Sequence, residues 1–594
     1  MNMLQQKGYF WLLGAMLAGA CQQPGHGGSG ATQDSLHHLA ARYYDENMAL
    51  NPVQATQNGE NQYNDQLPAD ISDSYRARLD SFYARYQQAI KTVDTAALSG
   101  NDRITYDMLR REFDINREAL SFHDNLMPVQ QFTCLPLTLA QYGSGTSAQP
   151  FKTVKDYHNF ISRMKGFAAW TDTAIANMRR GMATGYVLPG SLVVKTLPQL
   201  ADLAKKDTAA NVYYSPLKAI PAAISGTDKA GLVKDYTNAI ETYILPSYAK
   251  LHQFMQDEYL AKARTSSGIE GIPDGKPYYA FLIKSWTTTN LSPEEIFSLG
   301  EKEVARIRGE METVKSDAGF KGDLPAFFAF VRSDKKLRIF KTPAAILDSF
   351  KAIENKIMPG VKKMYGHLPK TPFEIRQTEA YRAASASAEY IQGSADGTRP
   401  GVFYVPILNA AEFPYSGMEC LFLHEAIPGH HFQISLQQEN DSLPKFRRFS
   451  WIGAYGEGYA LYCESLGKEL GLYTDPYMYF GRLTDEIHRA IRLVVDVGMH
   501  AKGWTREQAI KYMMDNEPLS EQEATAEIER YMAIPAQALS YKIGELKIRE
   551  LRNKYTTELG NKFHLSSFHD ELLKDGCVPL SVLEQKMARW AARQ

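Results

Sequence analysis

The residues with the most chemical content are His424-Glu425-Ala426-Ile427-Pro428-Gly429-His430-His431. In the H-E-x-x-H arrangement, two imidazoles four residues apart share one helix face and hold a zinc ion, and the glutamate after the first serves as general base. Here the position four after His424 is Pro428, and the next imidazoles come at six and seven residues. On an ideal helix His430 would be rotated by roughly 120° from His424. Pro428 forbids an ideal helix, because it has no N–H for the carbonyl of His424 and its ring crowds that turn. Gly429 tolerates unusual backbone angles. A two-residue bulge is therefore expected to carry His430 onto the face an i+4 histidine would take. His431 is in phase with His424 but roughly 10 Å further along the axis, which leaves it as the alternative ligand.

A catalytic zinc takes three protein ligands and keeps one position open, and His2Glu is a recurrent set. The segment Tyr455-Gly456-Glu457-Gly458-Tyr459-Ala460-Leu461-Tyr462-Cys463-Glu464 can supply the carboxylate. Glycines on both sides of Glu457 let two helix backbones approach closely. Glu464, seven residues on, shares its face and can stand behind the ligands. The expected metal set is His424, His430 and Glu457, with Glu425 taking a proton from water. Imidazole and carboxylate donors favour zinc and also accommodate manganese or iron. Each feature has a plainer explanation, since His-Glu pairs are common and Glu457 could be a solvated helix charge. Their coincidence favours the metal.

These side chains need rigid elements, and from about Ser35 onward the texture is helical, with amphipathic segments between short Pro/Gly breaks. Capping boxes mark four starts: Ser292…Glu295, Ser416…Glu419, Thr505…Gln508 and Ser520…Glu523. The Ser416 box opens the helix that carries His424. A helix from about Thr484 to Lys502 carries Arg489, Arg492, Asp496 and His500, with the last two sharing a face, and Gly503 ends it. Arg399–Ile407 is the best strand. A Gly-rich loop at Ser266–Gly275 can separate an N-terminal helical half from a C-terminal one. The expected fold is mainly α: one large helical domain over residues 36–594, undivided or in two lobes around a cleft, with a small β element near 399–407.

The chain has 594 residues, 66 basic and 67 acidic side chains and a net charge of −1, which argues against nucleic-acid partners and against docking on anionic lipid. Lys7 precedes an apolar run from Tyr9 to Ala20, too short to span a bilayer but suited to a signal peptide over residues 1–20. Leu17-Ala18-Gly19-Ala20-Cys21 resembles a bacterial lipobox, with Ala18 where leucine is usual. Cys21 is thus the expected lipidation site, and residues 21–35 a flexible tether. This implies an exported protein anchored in the bacterial cell envelope through lipid alone. Cys134, Cys420, Cys463 and Cys577 are too scattered for a disulfide framework, and Cys420 and Cys463 read as small packed hydrophobes.

The chain resembles the bacterial family known as domain of unknown function 885, many of whose members are lipoproteins. The likeness runs through Leu50-Asn51-Pro52, Thr287 to Glu295, Arg399-Pro400-Gly401…Tyr404, the His424–His431 motif, Glu457 to Glu464, Asp496 to Trp504, and Arg530-Tyr531…Pro535…Tyr541…Gly544. The motif in turn resembles the helical gluzincin peptidases, from which it departs by two inserted residues. The 27 residues from His430 to Glu457 are close to the ligand spacing in those enzymes. That resemblance implies a peptidase-like helical domain and a His and a Tyr facing the oxyanion, best matched by His500 and Tyr541, with Tyr531 behind. It also implies a strand beside the substrate cleft, here bearing Tyr404. Arg530 can hold a peptide carboxylate or make a structural ion pair.

The expected function is zinc-dependent hydrolysis of peptide bonds, of carboxypeptidase or peptidyl-dipeptidase type, with peptide as the partner. A non-catalytic envelope lipoprotein that binds peptide or glycan is the alternative, and a metallohydrolase of other amides or esters is a third. No phosphate-cradling glycine loop or nucleophile elbow is present to support nucleotide use or serine hydrolysis.

Overall fold

The computed structural model describes residues 28–98, 100–378, 387–393 and 399–594, with side chains from residue 35 onward. The leader and Cys21 lie outside the described residues. Helices dominate, and a three-stranded sheet is the β element. Helix α1 (Gly28–Leu50) opens inside the stretch read as tether, and α2 (Gly100–Ala119) and α3 (Val154–Thr184) follow. Around α3 the residues from Leu67 to Tyr259 bury an aromatic-rich cluster that includes Tyr157, Phe160, Trp170 and Tyr248. Each large side chain fully removed from water contributes about 1.5–3 kcal/mol.

The second large cluster is built mostly from residues beyond 268, yet it takes in Ile104, Met108, Leu126 and Tyr186. The Ser266–Gly275 loop is not a loose boundary between the two. Gly268 lies so close to the helix that carries Met499 that a Cβ there would sit 1.8 Å from the Met499 carbonyl oxygen.

The C-terminal half frames the site. Helices α4 (Gly275–Thr287) and α5 (Pro293–Asp317) lead to strands β1 (Phe373–Gln377), β2 (Glu389–Ile391) and β3 (Gly401–Val405). The central strand β3, the one expected at 399–407, is parallel to β1 and antiparallel to β2. Then come α6 (Met418–Glu425), α7 (His430–Glu439), α8 (Gly453–Ser465), α9 (Pro476–Ala501), α10 (Glu521–Ala533) and α11 (Ser540–Leu559). The capping boxes at Ser292, Thr505 and Ser520 form. The one at Ser416 does not: Gly417 is the N-cap, and Glu419 instead accepts a hydrogen bond from the Tyr473 N–H at 2.7 Å. A tertiary partner has taken the carboxylate the box needed. Helix α9 starts at Pro476 rather than near Thr484, because Asp475 caps it and Pro476 fits its first turn.

Helix α9 is buried on nearly all sides, so its polar residues meet partners inside the protein. Lys542 of α11, fully buried, reaches Glu486 at 2.8 Å, Glu545 at 2.9 Å and Glu303 at 3.2 Å, while Arg306 and Arg482 also pair with Glu486 at 2.5 Å. This network ties α5, α9 and α11 together. Removing one member would leave buried charge uncompensated, at a cost of about 3–5 kcal/mol.

Candidate metal centre

Three helix ends and turns bring the candidate ligands together. Helix α6 stops at Glu425, where Pro428 cannot donate to the carbonyl of His424. The chain does not bulge within one helix, as the sequence suggests. It breaks, passes a cis Ile427–Pro428 peptide, and starts α7 at His430. Gly429 makes the return possible, since a Cβ there would lie 1.9 Å from the His424 carbonyl oxygen. Only glycine allows the second helix to begin that close to the end of the first. His430 therefore reaches His424 because it opens a new helix.

Helix α8 supplies the carboxylate. Gly458 lies where a Cβ would meet Gly544 of α11 at 2.5 Å, so the glycine after Glu457 sets how closely α8 and α11 approach. The three donors then converge. His424 Nε2 and His430 Nε2 stand 3.6 and 3.5 Å from the same Glu457 oxygen, Oε2, and the imidazole planes are perpendicular with centroids 4.8 Å apart. All three donor atoms lie within 4.8 Å of one another. Two donors on a tetrahedral zinc at bond lengths of about 2.0–2.1 Å are about 3.3 Å apart, close to the two His–Glu distances here.

The surroundings fit as well. His424 Nδ1 donates to Glu464 Oε1 at 2.7 Å, which fixes the tautomer and turns Nε2 toward Glu457. Burial alone would raise the Glu457 carboxyl, but His424 and His430 hold it well below the usual range. Burial opposes charge on His424, and Glu457 and Glu464 outweigh it, so its pKa is well above the ordinary value. Two carboxylates, Glu457 and Glu464, thus face the two nitrogens of His424. Glu425 stands beside them: burial raises its carboxyl, the two histidines lower it, and Glu457 raises it again, with the Tyr390 N–H as a lowering partner. A raised carboxyl suits a proton acceptor working near neutrality.

His431 is outside the cluster. It turns toward the sheet, with Nδ1 3.0 Å from the Tyr390 hydroxyl and 3.3 Å from that of Ser435, and its ring 4.7 Å from Phe373. Burial pushes its pKa down to about 4. His500 is not placed as an oxyanion donor. It is fully buried, its Nδ1 accepts from the Ile269 N–H at 2.9 Å, and its Nε2 donates to the Tyr531 carbonyl at 3.0 Å. Both nitrogens are spent on holding the 266–275 loop and α10 against α9.

Tyr541, in the first turn of α11, is half-buried, with the Arg492 guanidinium 4.6 Å above its ring. Tyr531 is buried, accepting from Arg492 Nε at 2.8 Å and donating to Glu527 at 2.5 Å. Arg530 donates to Gln537 at 3.1 Å, lies 3.6 Å from Glu527 and covers the Phe132 ring. Tyr404 lies on β3, in register with Arg376 and Glu389. Cys420, Cys463 and Cys577 are buried and Cys134 partly so, and all four are free.

Two neighbours of the site had no motif to announce them. Tyr390 of β2 touches both Glu425 and His431. Trp451 places its ring 5.7 Å from that of His430. Neither carries a signal in the sequence, since Tyr390 lies 34 residues before His424 and Trp451 lies 20 after His431.

No described helix is long and apolar enough to cross a membrane. A family described as bacterial protein of unknown function, DUF885, matches residues 52–587. No curated protein matches the chain. Among solved structures, the putative lipoprotein from Colwellia psychrerythraea superposes with a TM-score of 0.85 at 26% identity, over 95% of this chain and all of that one. A putative lipoprotein of unknown function from Shewanella oneidensis does so with a TM-score of 0.74 at 20% identity, over 93% of this chain and 99% of that one.

Proposed function

Because the chain belongs to the DUF885 family, whose description assigns no activity, we propose its function from its own residues: zinc-dependent hydrolysis of peptide bonds. The observation that carries this reading is the convergence of His424 Nε2, His430 Nε2 and Glu457 Oε2, with Glu464 fixing one imidazole from behind and Glu425 alongside. A zinc ion held by those three residues would supply Lewis acidity to an amide carbonyl and its attacking water. Glu425 accepts the proton of that water at its carboxylate and returns it to the leaving nitrogen. Glu464 keeps the His424 tautomer that leaves Nε2 free to ligate. Tyr541, half-buried beside Arg492, takes the role of oxyanion donor, which His500 cannot fill. The lipobox-like Cys21 and the two lipoprotein-named structures support an exported, lipid-anchored placement.

The deciding experiment is metal analysis of purified protein beside His424→Ala and His430→Ala, with hydrolysis of a peptide library measured in parallel. Stoichiometric metal in the wild type, lost in both variants together with hydrolysis, is the expected result. Near-zero metal in all three, after zinc has been offered, would leave a non-catalytic binding protein. Retained metal with esters or other amides as the only substrates would keep the centre and replace the substrate class.

A further inference from the structure

Trp451 belongs to two places at once. Its ring packs 5.7 Å from the His430 imidazole, and it also lines a cavity of about 480 Å³. The facing walls include Trp286, Phe446, Phe449, Tyr44 and Met108. Trp286 and Trp451 are the tryptophans among the exposed large hydrophobics of the described residues, 37% and 47% exposed, and both face this one cavity. Indoles left in water on a concave wall gain from a ligand that covers them.

The cavity's charges are already engaged. Arg111 donates to the main-chain oxygens of Lys284 and Ser285 at 2.9 and 3.2 Å. Glu112 accepts from the Tyr43 hydroxyl at 3.2 Å and from the Asn116 amide at 2.9 Å. What remains for a ligand is an aromatic wall with amide and hydroxyl groups around it, in the size range of sites that enclose small groups.

The indole is positioned by the helix that presents Glu457. A Cβ on Gly456 would lie 2.3 Å from the Trp451 ring, so that glycine gives the ring its seat one residue before the ligand. The glycines around Glu457 therefore divide the work: Gly458 admits α11, and Gly456 admits Trp451.

We infer that this cavity receives a bulky apolar or aromatic side chain of the substrate, next to the cleaved bond, and so selects peptides that carry one. The inference rests on the peptidase reading above for its substrate and on the Trp451–His430 contact for its position. The zinc-loaded full chain is tested on paired peptides that differ only in phenylalanine or alanine beside the cleaved bond. Wild type should favour the phenylalanine peptide by about tenfold or more in kcat/KM. Trp451→Ala and Trp286→Ala should each bring that ratio toward one, and Gly456→Ala should lower it less. A ratio unchanged in both tryptophan variants, or no preference in wild type, overturns the inference. A second arm needs no hydrolysis: calorimetric binding of N-acetyl-phenylalaninamide to the metal-free chain, lost in Trp451→Ala. Binding without any peptide cleavage would keep the cavity and remove the peptidase reading, whereas cleavage without binding or preference would remove the cavity alone.

Discussion

His424 and His500 are both buried histidines on helices, at 5% and 0% exposure, and the sequence marks both as candidates for chemistry. They differ in what their second nitrogen does. His424 gives Nδ1 to Glu464 and leaves Nε2 3.6 Å from another carboxylate. His500 gives Nδ1 to a main-chain N–H and Nε2 to a main-chain carbonyl. The first turns Nε2 toward a cluster of side-chain nitrogen and oxygen atoms, and the second has both nitrogens bound to main chain. Burial and helical setting do not separate a candidate ligand from a core residue. The unspent nitrogen does.

The largest effect that sharpens this contrast comes from Glu425→Gln. The substitution keeps the shape and removes the proton acceptor, so kcat should fall by about 10²–10⁴ while bound zinc is retained. His424→Ala should lose metal and activity together. Turnover and metal content measured on the same preparations tell the two apart. A fully active Glu425→Gln would end its assignment as base.

A smaller effect is expected one layer out. Glu464→Gln still accepts from His424 Nδ1 but no longer carries the charge that strengthens the ligand, so zinc affinity should fall about 10–100-fold. Competition with a chelator measures it. An unchanged affinity would make Glu464 a packing partner and blur the distinction between His424 and His500.

How much of this was legible depends on how local each signal is. Helical periodicity and the caps at Ser292, Thr505 and Ser520 are written within a few residues, and they form. The cap at Ser416 fails because Tyr473, distant in sequence, takes Glu419. Pro428 and Gly429 marked a departure from the helix, but not its form. A bulge and a break satisfy the same proline, and only the lack of room for a Cβ at Gly429, 1.9 Å from the His424 carbonyl oxygen, shows the chain turning back on the helix end. The choice between His430 and His431 likewise depends on where α7 starts. The role of His500 was illegible for the same reason. Its partners, Ile269 and Tyr531, come from a loop and a helix that periodicity cannot place beside it.

The smallest effect concerns His500 as a structural bridge. His500→Gln should leave zinc in place and cost about 1–3 kcal/mol of stability, since buried main-chain groups lose partners. Its pH dependence has a definite sign. Burial pushes His500 down to about 3, against an ordinary 6.5. As pH falls below 6.5 the unfolded chain takes up a proton that the folded one refuses, so His500 makes stability fall by about 1.4 kcal/mol per pH unit until about pH 3. Burial also lowers His569 to about 3 and His431 to about 4, and both act in the same direction. Asp496, one turn before His500, acts the other way: burial raises it to about 7 from 3.8, against the Tyr279 and Ala536 hydrogen bonds that lower it. Its contribution is lost as pH rises from about 4 to 7. Urea unfolding of wild type and His500→Gln between pH 4 and 6.5 should therefore show the variant's stability depending less steeply on acid, by one proton. An unchanged slope would mean that His500 already carries a proton in the folded state. It could not then accept from the Ile269 N–H, and the contrast with His424 would fail at its simplest point.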